Sequence, residues 1–215
     1  MLAARVYIVR HGETDENRLG IMQGQLDTNL NAIGIEQAQL TADALEMVPF
    51  TKAFSSDLKR AVKTAEMILK RHPHVELEQD PELRERNLGD WQGRKSTERG
   101  FRAPANAEPV GEFTGRAVRW WKERIIPCTT AWDGHGEPAH ILVVSHGGLI
   151  GRLIVGLLES GRVEWATGSV LTTKCFNASI SVLELQAHGG GEMVSYSDTT
   201  HLNVDFVESN ADVQE

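Results

Sequence analysis

Short runs of apolar residues alternate along this chain with longer segments in which apolar residues recur every three or four positions. Residues 5–9 and 141–145 are nearly continuous apolar runs, which is typical of strands buried on both faces. Asn31 is a candidate N-cap, and a helical repeat with Ile35 on its inward side follows it until Pro49. Strands that alternate with helices predict an α/β fold with a mainly parallel central sheet and helices on both faces.

The remaining elements follow from the same two periodicities and from the turn residues between them. Further helices are predicted after a cap at Ser56 or Asp57, over residues 114–126 and over residues 147–158. Further strands are predicted over residues 52–55, 75–77, 179–185 and 193–196, and residues 80–113 are expected to be mainly loop. We expect one domain over residues 1–207, followed by a disordered acidic end over residues 208–215.

Net charge bears on the expected partners, and cysteine content on the expected cellular location. The 215 residues include 22 Lys and Arg against 30 Asp and Glu, so the net charge is −8. Such a surface repels nucleic acid and anionic membranes, and neither is expected as a partner. The first residues do not resemble a signal peptide, and Cys128 and Cys175 are expected to be reduced thiols. We therefore expect a cytoplasmic protein, with the nucleus as a second location, that is a monomer or a homodimer.

Two of the predicted strands are each followed by a histidine and a glycine. The tripeptide Arg-His-Gly follows one strand at residues 10–12, and His-Gly-Gly follows another at residues 146–148. A single histidine at a strand end is more often a satisfied polar residue than a catalyst. Two at equivalent ends of a parallel sheet indicate a ligand site, because ligands bind beyond the carboxyl ends of such strands. A helix that begins at Gly147 would direct its unpaired N–H groups at an anion in that site.

Four ordered blocks resemble a known family. Residues 10–14, Arg-His-Gly-Glu-Thr, are similar to the signature of the histidine phosphatase superfamily, also called phosphoglycerate mutase-like. Residues 55–60, 83–86 and 144–148 match the later blocks of that family in the expected order. The resemblance runs from Val6 to about Leu202 and implies a three-layer α/β sandwich of the phosphoglycerate mutase type.

The resemblance also implies roles for individual residues. His11 would attack phosphorus through a ring nitrogen and form a phosphohistidine, which water then hydrolyses. Arg10, Arg60 and His146 would donate to the phosphoryl oxygens. Glu85 would protonate the leaving oxygen and then take a proton from the attacking water. Because these charges and donors all belong to the protein, we expect no metal and no cofactor.

The same resemblance implies a set of substrate contacts. Taken singly, Arg60 reads as a solvated helix face and Glu85 as part of a surface ion-pair cluster, and only the joint pattern favours catalysis. The residues expected to line the substrate's phosphate are Thr14, Asn17, Gln23 and Gly24, together with the backbone N–H of Gly147.

The four blocks do not separate phosphatases from phosphoglycerate mutases. Mutases of the family carry a long insertion after the Glu85 block, with paired arginines, whereas residues 94–110 of this chain are short and lack such a pair. Leu88 also stands where mutases have a tyrosine. A short cap leaves a phosphohistidine open to water, which favours hydrolysis. We therefore expect a metal-independent phosphatase.

The nearest resemblance within the family is to small fungal and animal phosphatases, both the fructose-2,6-bisphosphatase-like branch and broadly specific members. Its substrates would be small phosphometabolites, including sugar phosphates and bisphosphates, and no residue selects one of them. Two alternatives stay open at this point. They are a cofactor-dependent phosphoglycerate mutase and, from another class, a catalytically dead scaffold module that binds phosphate.

Overall fold

The computed structural model describes residues 1–131, 136–166 and 174–202, and this part of the chain folds around one seven-stranded sheet. The strands are β1 (Leu2–Arg10), β2 (Lys52–Ser55), β3 (Leu77–Gln79), β4 (Ala139–Ser145), β5 (Val163–Trp165), β6 (Ile180–Gln186) and β7 (Gly191–Asp198). The helices are α1 (Asp15–Arg18), α2 (Ala32–Ala44), α3 (Lys59–Leu69), α4 (Val110–Trp120), α5 (Ile126–Thr130) and α6 (Gly147–Glu159), with a π-helical turn over Trp121–Ile125 between α4 and α5. The predicted acidic end and the boundary at residue 207 lie outside the described residues.

The strand order is β3-β2-β4-β1-β6-β7-β5. Neighbouring strands are parallel in the pairs β1/β4, β2/β4, β2/β3 and β5/β7, and antiparallel in β1/β6 and β6/β7. The prediction of a mainly parallel α/β sheet is therefore confirmed. The parallel pairing of β1 with β4 sets Arg10 opposite Ser145, so both strands end at the same edge of the sheet.

Alternate residues of β1 enter two different apolar cores. Val6 and Ile8 are buried with residues of α4 and α6, whereas Tyr7 and Val9 are buried with residues of α2 and α3. A strand whose side chains all enter a core must read as a continuous apolar run, because successive side chains point to opposite faces. This explains the pattern of residues 5–9 and produces the expected three layers.

The prediction for Ile35 was wrong. Its side chain is 45% exposed, and the buried face of α2 consists instead of small and polar residues that include Gly34. A Cβ at Gly34 would lie 2.0 Å from the carbonyl oxygen of Glu13, so this helix packs directly on the backbone that follows β1. The prediction placed Ile35 inward because it followed helical spacing alone. The buried face of α2 is instead the one without bulky side chains, because it lies against the backbone after β1.

Several boundaries also differ from the predictions. The N-cap of α3 is Leu58 rather than Ser56 or Asp57. The Ser56 hydroxyl contacts the backbone N–H of Leu58 and the ring of His146, and Asp57 pairs with Arg84. Helix α4 begins at residue 110 rather than 114, and the short elements α1 and β5 were not predicted. Such elements contain too few residues for a periodicity to be recognised. In the described part of the chain, the helices are all too short or too polar to cross a membrane.

Candidate active site

The two histidines that were predicted at strand ends lie side by side. The backbone N–H of His11 donates to the carbonyl of Ser145 at 3.0 Å, which extends the pairing of β1 and β4 by one residue. The imidazole centroids of His11 and His146 are 5.1 Å apart, and both side chains are buried. The parallel sheet therefore brings together residues that are 135 positions apart in the sequence.

The tautomer of His11 follows from its hydrogen bond to the backbone. Nδ1 lies 2.7 Å from the carbonyl oxygen of Gly12, and a carbonyl can only accept, so Nδ1 carries the proton. Nε2 keeps its lone pair, toward which Nε of Arg60 points from 3.3 Å. Burial, together with the positive charges of Arg60 and Arg10, holds the pKa of His11 well below its usual 6.5. At neutral pH, His11 is thus a neutral imidazole with a nucleophilic Nε2.

The two predicted arginines are buried and held by backbone carbonyls. Nη1 of Arg10 donates to the carbonyl of Cys175 at 2.7 Å. Arg60 donates from Nη1 to the carbonyl of Leu26 at 2.6 Å and from Nη2 to that of Gly24 at 2.8 Å. Each bond fixes the plane of a permanently charged fork, which is the geometry that suits phosphoryl oxygens. Gly24, predicted as a substrate contact, orients Arg60 through its carbonyl.

The carboxylate of Glu85 rests on the N-terminus of α6. Its Oε2 accepts from the backbone N–H of Gly148 and its Oε1 from that of Arg86, both at 2.8 Å. The side chain is 3% exposed. A Cβ at residue 148 would lie 2.4 Å from Oε1, so the absence of a side chain on Gly148 lets the carboxylate occupy this place. Glu85, which reads in the sequence as part of a charged surface run, is therefore buried against the start of the helix that follows the second histidine.

Arg116, a residue of α4, holds the loop that carries Glu85. Its Nη1 donates to the carbonyls of Glu82 at 2.5 Å and Arg84 at 3.0 Å. Its Nε and Nη2 form a bidentate pair with the carboxylate of Glu108 at 2.9 and 3.0 Å. A partly buried bidentate pair of this kind restrains the positions of both partners. Sequence reasoning missed Arg116, because its contacts are to backbone groups and to a loop residue that carry no motif.

Further positive charge surrounds the Glu85 loop. Arg86 donates from Nε to the carbonyl of Glu108 at 2.7 Å. Burial lowers the pKa of Arg86, and the positive charges of Arg99 and then Arg152 lower it as well, against the raising effect of Glu108. Three arginines, Arg86, Arg99 and Arg152, are thus close enough to influence one another here, together with the carboxylates of Glu108 and Glu85.

The second histidine is bonded to a serine that was predicted only as a helix cap. Nε2 of His146 lies 2.8 Å from the hydroxyl oxygen of Ser56, and both side chains are buried. Burial, followed by the charges of Arg60, His11 and Arg10, holds the pKa of His146 well below 6.5. His146 is therefore also neutral at pH 7, and only one of its ring nitrogens carries a proton.

The predicted substrate residues Thr14, Asn17 and Gln23 form a connected network. Thr14 is the N-cap of α1: its Oγ1 accepts from the backbone N–H of Asn17 and donates to Oε1 of Gln23 at 3.1 Å. Asn177 joins this network to the nucleophile, because its Nδ2 donates to the carbonyl of His11 at 3.0 Å and to Oδ1 of Asn17 at 3.2 Å. Sequence reasoning did not assign Asn177 to the site. Gly147, the remaining predicted contact, is the buried first residue of α6.

Over residues 1–131, 136–166 and 174–202 there is no group of three or more His, Cys, Asp or Glu side chains that could hold a metal ion.

The chain is similar to known proteins over almost its whole length. The family model described as Histidine phosphatase superfamily (branch 1) matches residues 6–199, a range that contains every residue of this site. A probable phosphatase of Schizosaccharomyces pombe is 33% identical over 205 residues, which are 92% of this chain and 95% of that protein. A metal-independent phosphoserine phosphatase of Arabidopsis thaliana is 30% identical over 96% of this chain and 87% of that protein. The solved structure of mycobacterial glucosyl-3-phosphoglycerate phosphatase with VO3 has a TM-score of 0.69 at 31% identity, over 84% of this chain and 91% of that one.

Proposed function

The chain belongs to the histidine phosphatase superfamily and is a phosphoric monoester hydrolase, and from this premise we propose that it hydrolyses small phosphometabolites through a phosphohistidine on His11, without a metal. One observation carries the mechanistic part of the proposal. The Nδ1 proton of His11 is bonded to the carbonyl of Gly12, so that Nε2 is an unprotonated nucleophile beside Arg60.

In the first step, Nε2 of His11 attacks phosphorus opposite the leaving oxygen. A nitrogen–phosphorus bond forms, the ester oxygen–phosphorus bond breaks, and Glu85, which enters this step as the carboxylic acid, transfers its proton to the departing alkoxide and becomes a carboxylate. Arg10, Arg60 and His146 donate hydrogen bonds to the three equatorial oxygens, where negative charge is spread in the transition state. These donors are held by other parts of the protein before substrate binds, so little reorganisation is needed during the reaction.

In the second step, water attacks the phosphohistidine. The Glu85 carboxylate accepts the proton of this water, the nitrogen–phosphorus bond breaks, and Nε2 of His11 regains its lone pair as phosphate leaves. Residues 94–110 are too short to carry the long insertion of the mutases, which supports hydrolysis over return of the phosphoryl group to an organic acceptor.

The substrate class is supported by charge and by the relatives. The group of Arg86, Arg99 and Arg152 near the Glu85 loop is consistent with compounds that carry an anionic group besides the phosphate that reacts. Among the relatives, one is named for phosphoserine and another for glucosyl-3-phosphoglycerate, both small phosphorylated metabolites. We therefore propose small phosphorylated acids and sugar phosphates as substrates of this chain.

The proposal is tested by trapping the intermediate in the presence of EDTA. Wild-type protein, His11→Ala and the control His188→Ala, which changes an exposed histidine in the β6–β7 turn, are mixed with ³²P-labelled substrate and quenched without acid. Wild type and the control should carry phosphate that is stable in alkali and labile in acid, and they should release phosphate at the same rate with or without EDTA. His11→Ala should lose both label and turnover.

Two results would contradict this proposal. Turnover in His11→Ala would remove His11 from the role of nucleophile, and a need for added Mg²⁺ or Zn²⁺ would contradict the metal-independent step.

A parallel assay with 3-phosphoglycerate and a bisphosphoglycerate primer tests the alternative function, a phosphoglycerate mutase. Formation of 2-phosphoglycerate faster than release of phosphate from the best substrate would identify a mutase.

A further inference from the structure

Ser56 connects the ends of two parallel strands through its backbone. It follows β2 directly, and its N–H donates to the carbonyl of Val144, near the end of β4, at 3.0 Å. This bond places the Ser56 hydroxyl under the imidazole of His146, with 2.8 Å between Oγ and Nε2. The side chain is completely buried, so no solvent competes for the contact.

The direction of this hydrogen bond follows from the donors and acceptors around it. The Ser56 Oγ already accepts from the backbone N–H of Leu58 at 3.3 Å. Its single hydroxyl hydrogen needs an acceptor, and among the described residues the atom in reach is Nε2 of His146. If Nε2 carried the proton instead, the hydroxyl hydrogen would have no acceptor and the buried lone pair of Nδ1 would have no donor. With the His146 proton on Nδ1, only the Nδ1–H group lacks a partner among the described residues. With the proton on Nε2, both the Ser56 hydroxyl hydrogen and the Nδ1 lone pair lack one, so we take the serine as the donor.

The donation from Ser56 places the ring proton of His146 on its second nitrogen, Nδ1. A neutral imidazole carries one proton, and when Nε2 accepts from Ser56 this proton must be on Nδ1. Nδ1 is buried and makes no hydrogen bond to any described residue, in a ring whose centroid is 5.1 Å from that of His11. In this tautomer the ring offers a donor to a phosphoryl group on His11, whereas the opposite tautomer would offer a lone pair and repel it.

We propose that Ser56 is a positioning residue that fixes the tautomer of His146, so that Nδ1–H is available to the phosphoryl oxygens. This inference rests on the proposed function and deepens it, because it explains how a neutral histidine can stabilise an anionic transition state. The lowered pKa of His146 supports it, since a doubly protonated ring would donate from Nδ1 whatever Ser56 did.

The first test reads the tautomer directly in the resting protein. Two-bond ¹H–¹⁵N spectra of ¹⁵N-histidine-labelled wild type should show His146 with a pyrrole-type Nδ1 and a pyridine-type Nε2. In Ser56→Ala, the population should shift toward Nε2–H. Titration with inorganic phosphate should move the Nδ1–H resonance of His146 in wild type. A wild-type His146 protonated on Nε2 would overturn the proposal, whether or not any variant folds.

The second test separates positioning from a merely structural role. Ser56→Ala should lower kcat/KM on the order of 10- to 100-fold, which is less than the roughly 10²–10³-fold cost of removing a transition-state donor outright, because the His146 ring remains. Ser56→Thr, which keeps the hydroxyl, should recover most of this loss. The control Ser55→Ala removes a neighbouring buried hydroxyl that donates to the carbonyl of Ser56 rather than to a ring, and it should leave the His146 tautomer unchanged.

A double-mutant cycle completes the design. In a His146→Ala background, Ser56→Ala should cost no further activity, because the serine would have no ring to orient. An equal loss in both backgrounds, or a Ser56→Ala enzyme within twofold of wild type, would refute the positioning role. The tautomer is measured without turnover, so a failure of His11 to become labelled would refute the proposed function while leaving the result on Ser56 intact.

Discussion

Backbone N–H groups hold the carboxylate of Glu85. Two N–H donors, from Arg86 and Gly148, hold its carboxylate oxygens, and Arg116 binds the carbonyls of its loop. A carboxylate restrained in this way keeps its position while the proton moves on and off, as a group that serves as acid and then as base requires. Its importance should therefore depend on how much the leaving oxygen needs a proton.

We expect Glu85→Gln to slow the first chemical step by about 10²–10⁴-fold for sugar or glycerate phosphates, whose alkoxides leave poorly without a proton. With p-nitrophenyl phosphate the loss should be far smaller, because p-nitrophenolate departs unprotonated. The measurement is the rate of enzyme labelling, or kcat/KM, for both substrates. Glu82→Gln serves as control, since it changes an exposed carboxylate of the same loop. Equal slowing of both substrates would show that Glu85 is not the proton donor.

At the scale of elements, the start of α6 and the Glu85 loop fit together only because residue 148 is a glycine. Alanine favours a helix more than glycine does by about 1 kcal/mol in helix interiors, so stability alone gives no reason for glycine here. The Cβ of an alanine would meet the end of a flexible side chain, the Glu85 carboxylate, at 2.4 Å. That side chain would move away, and the helix would remain intact.

Gly148→Ala should therefore fold with an unchanged or raised melting temperature and yet lose activity. We expect kcat/KM for a sugar phosphate to fall by about tenfold or more, approaching the Glu85→Gln loss, with a smaller effect on p-nitrophenyl phosphate. Gly151→Ala is a matched control on the same helix, because its Cβ would make an ordinary contact of 3.7 Å with Tyr196. A Gly148→Ala enzyme as active as Gly151→Ala would show that the glycine at residue 148 is not needed to position the Glu85 carboxylate.

At the scale of the whole molecule, folding removes several histidines from water and lowers their pKa values. Burial is the main cause in each case, and the histidines concerned are His11, His72, His140, His146 and His201. Between pH 6.5 and the lowered values, the unfolded chain binds more protons than the native chain, so stability falls as the pH falls. The carboxylates with lowered pKa values, Asp27 and Asp43, lose their contribution only near and below 3.8.

The melting temperature should therefore decrease between pH 7 and pH 5, by an amount on the order of 5 °C for a chain of this size. Scanning calorimetry at constant ionic strength measures the change. His146→Gln should flatten the dependence, because it removes one of the two most deeply buried imidazoles. His188→Gln, an exposed substitution, should leave it unchanged. A wild-type melting temperature that rises on acidification over this range would show that the buried histidines do not control the pH dependence of stability.

Much of this protein can be predicted from local sequence. The continuous apolar runs of β1 and β4, each followed by a histidine and a glycine, predicted two buried parallel strands that end at one site. The ordered blocks around His11, Arg60 and Glu85 predicted the family, which the comparison over residues 6–199 confirmed. The predicted location and oligomeric state stay predictions.

The alternation of elements and the residue types at the strand ends could be predicted from local sequence, because periodicity and composition act over a few neighbouring residues. The groups that hold those residues in place depend instead on how distant segments pack in the folded chain. Ser56 and His146 are 90 positions apart, and Asn177 and His11 are 166 apart. Such partners meet because β2, β4, β1 and β6 adopt one order in the sheet, and a pairing that depends on strand order leaves no trace in local spacing.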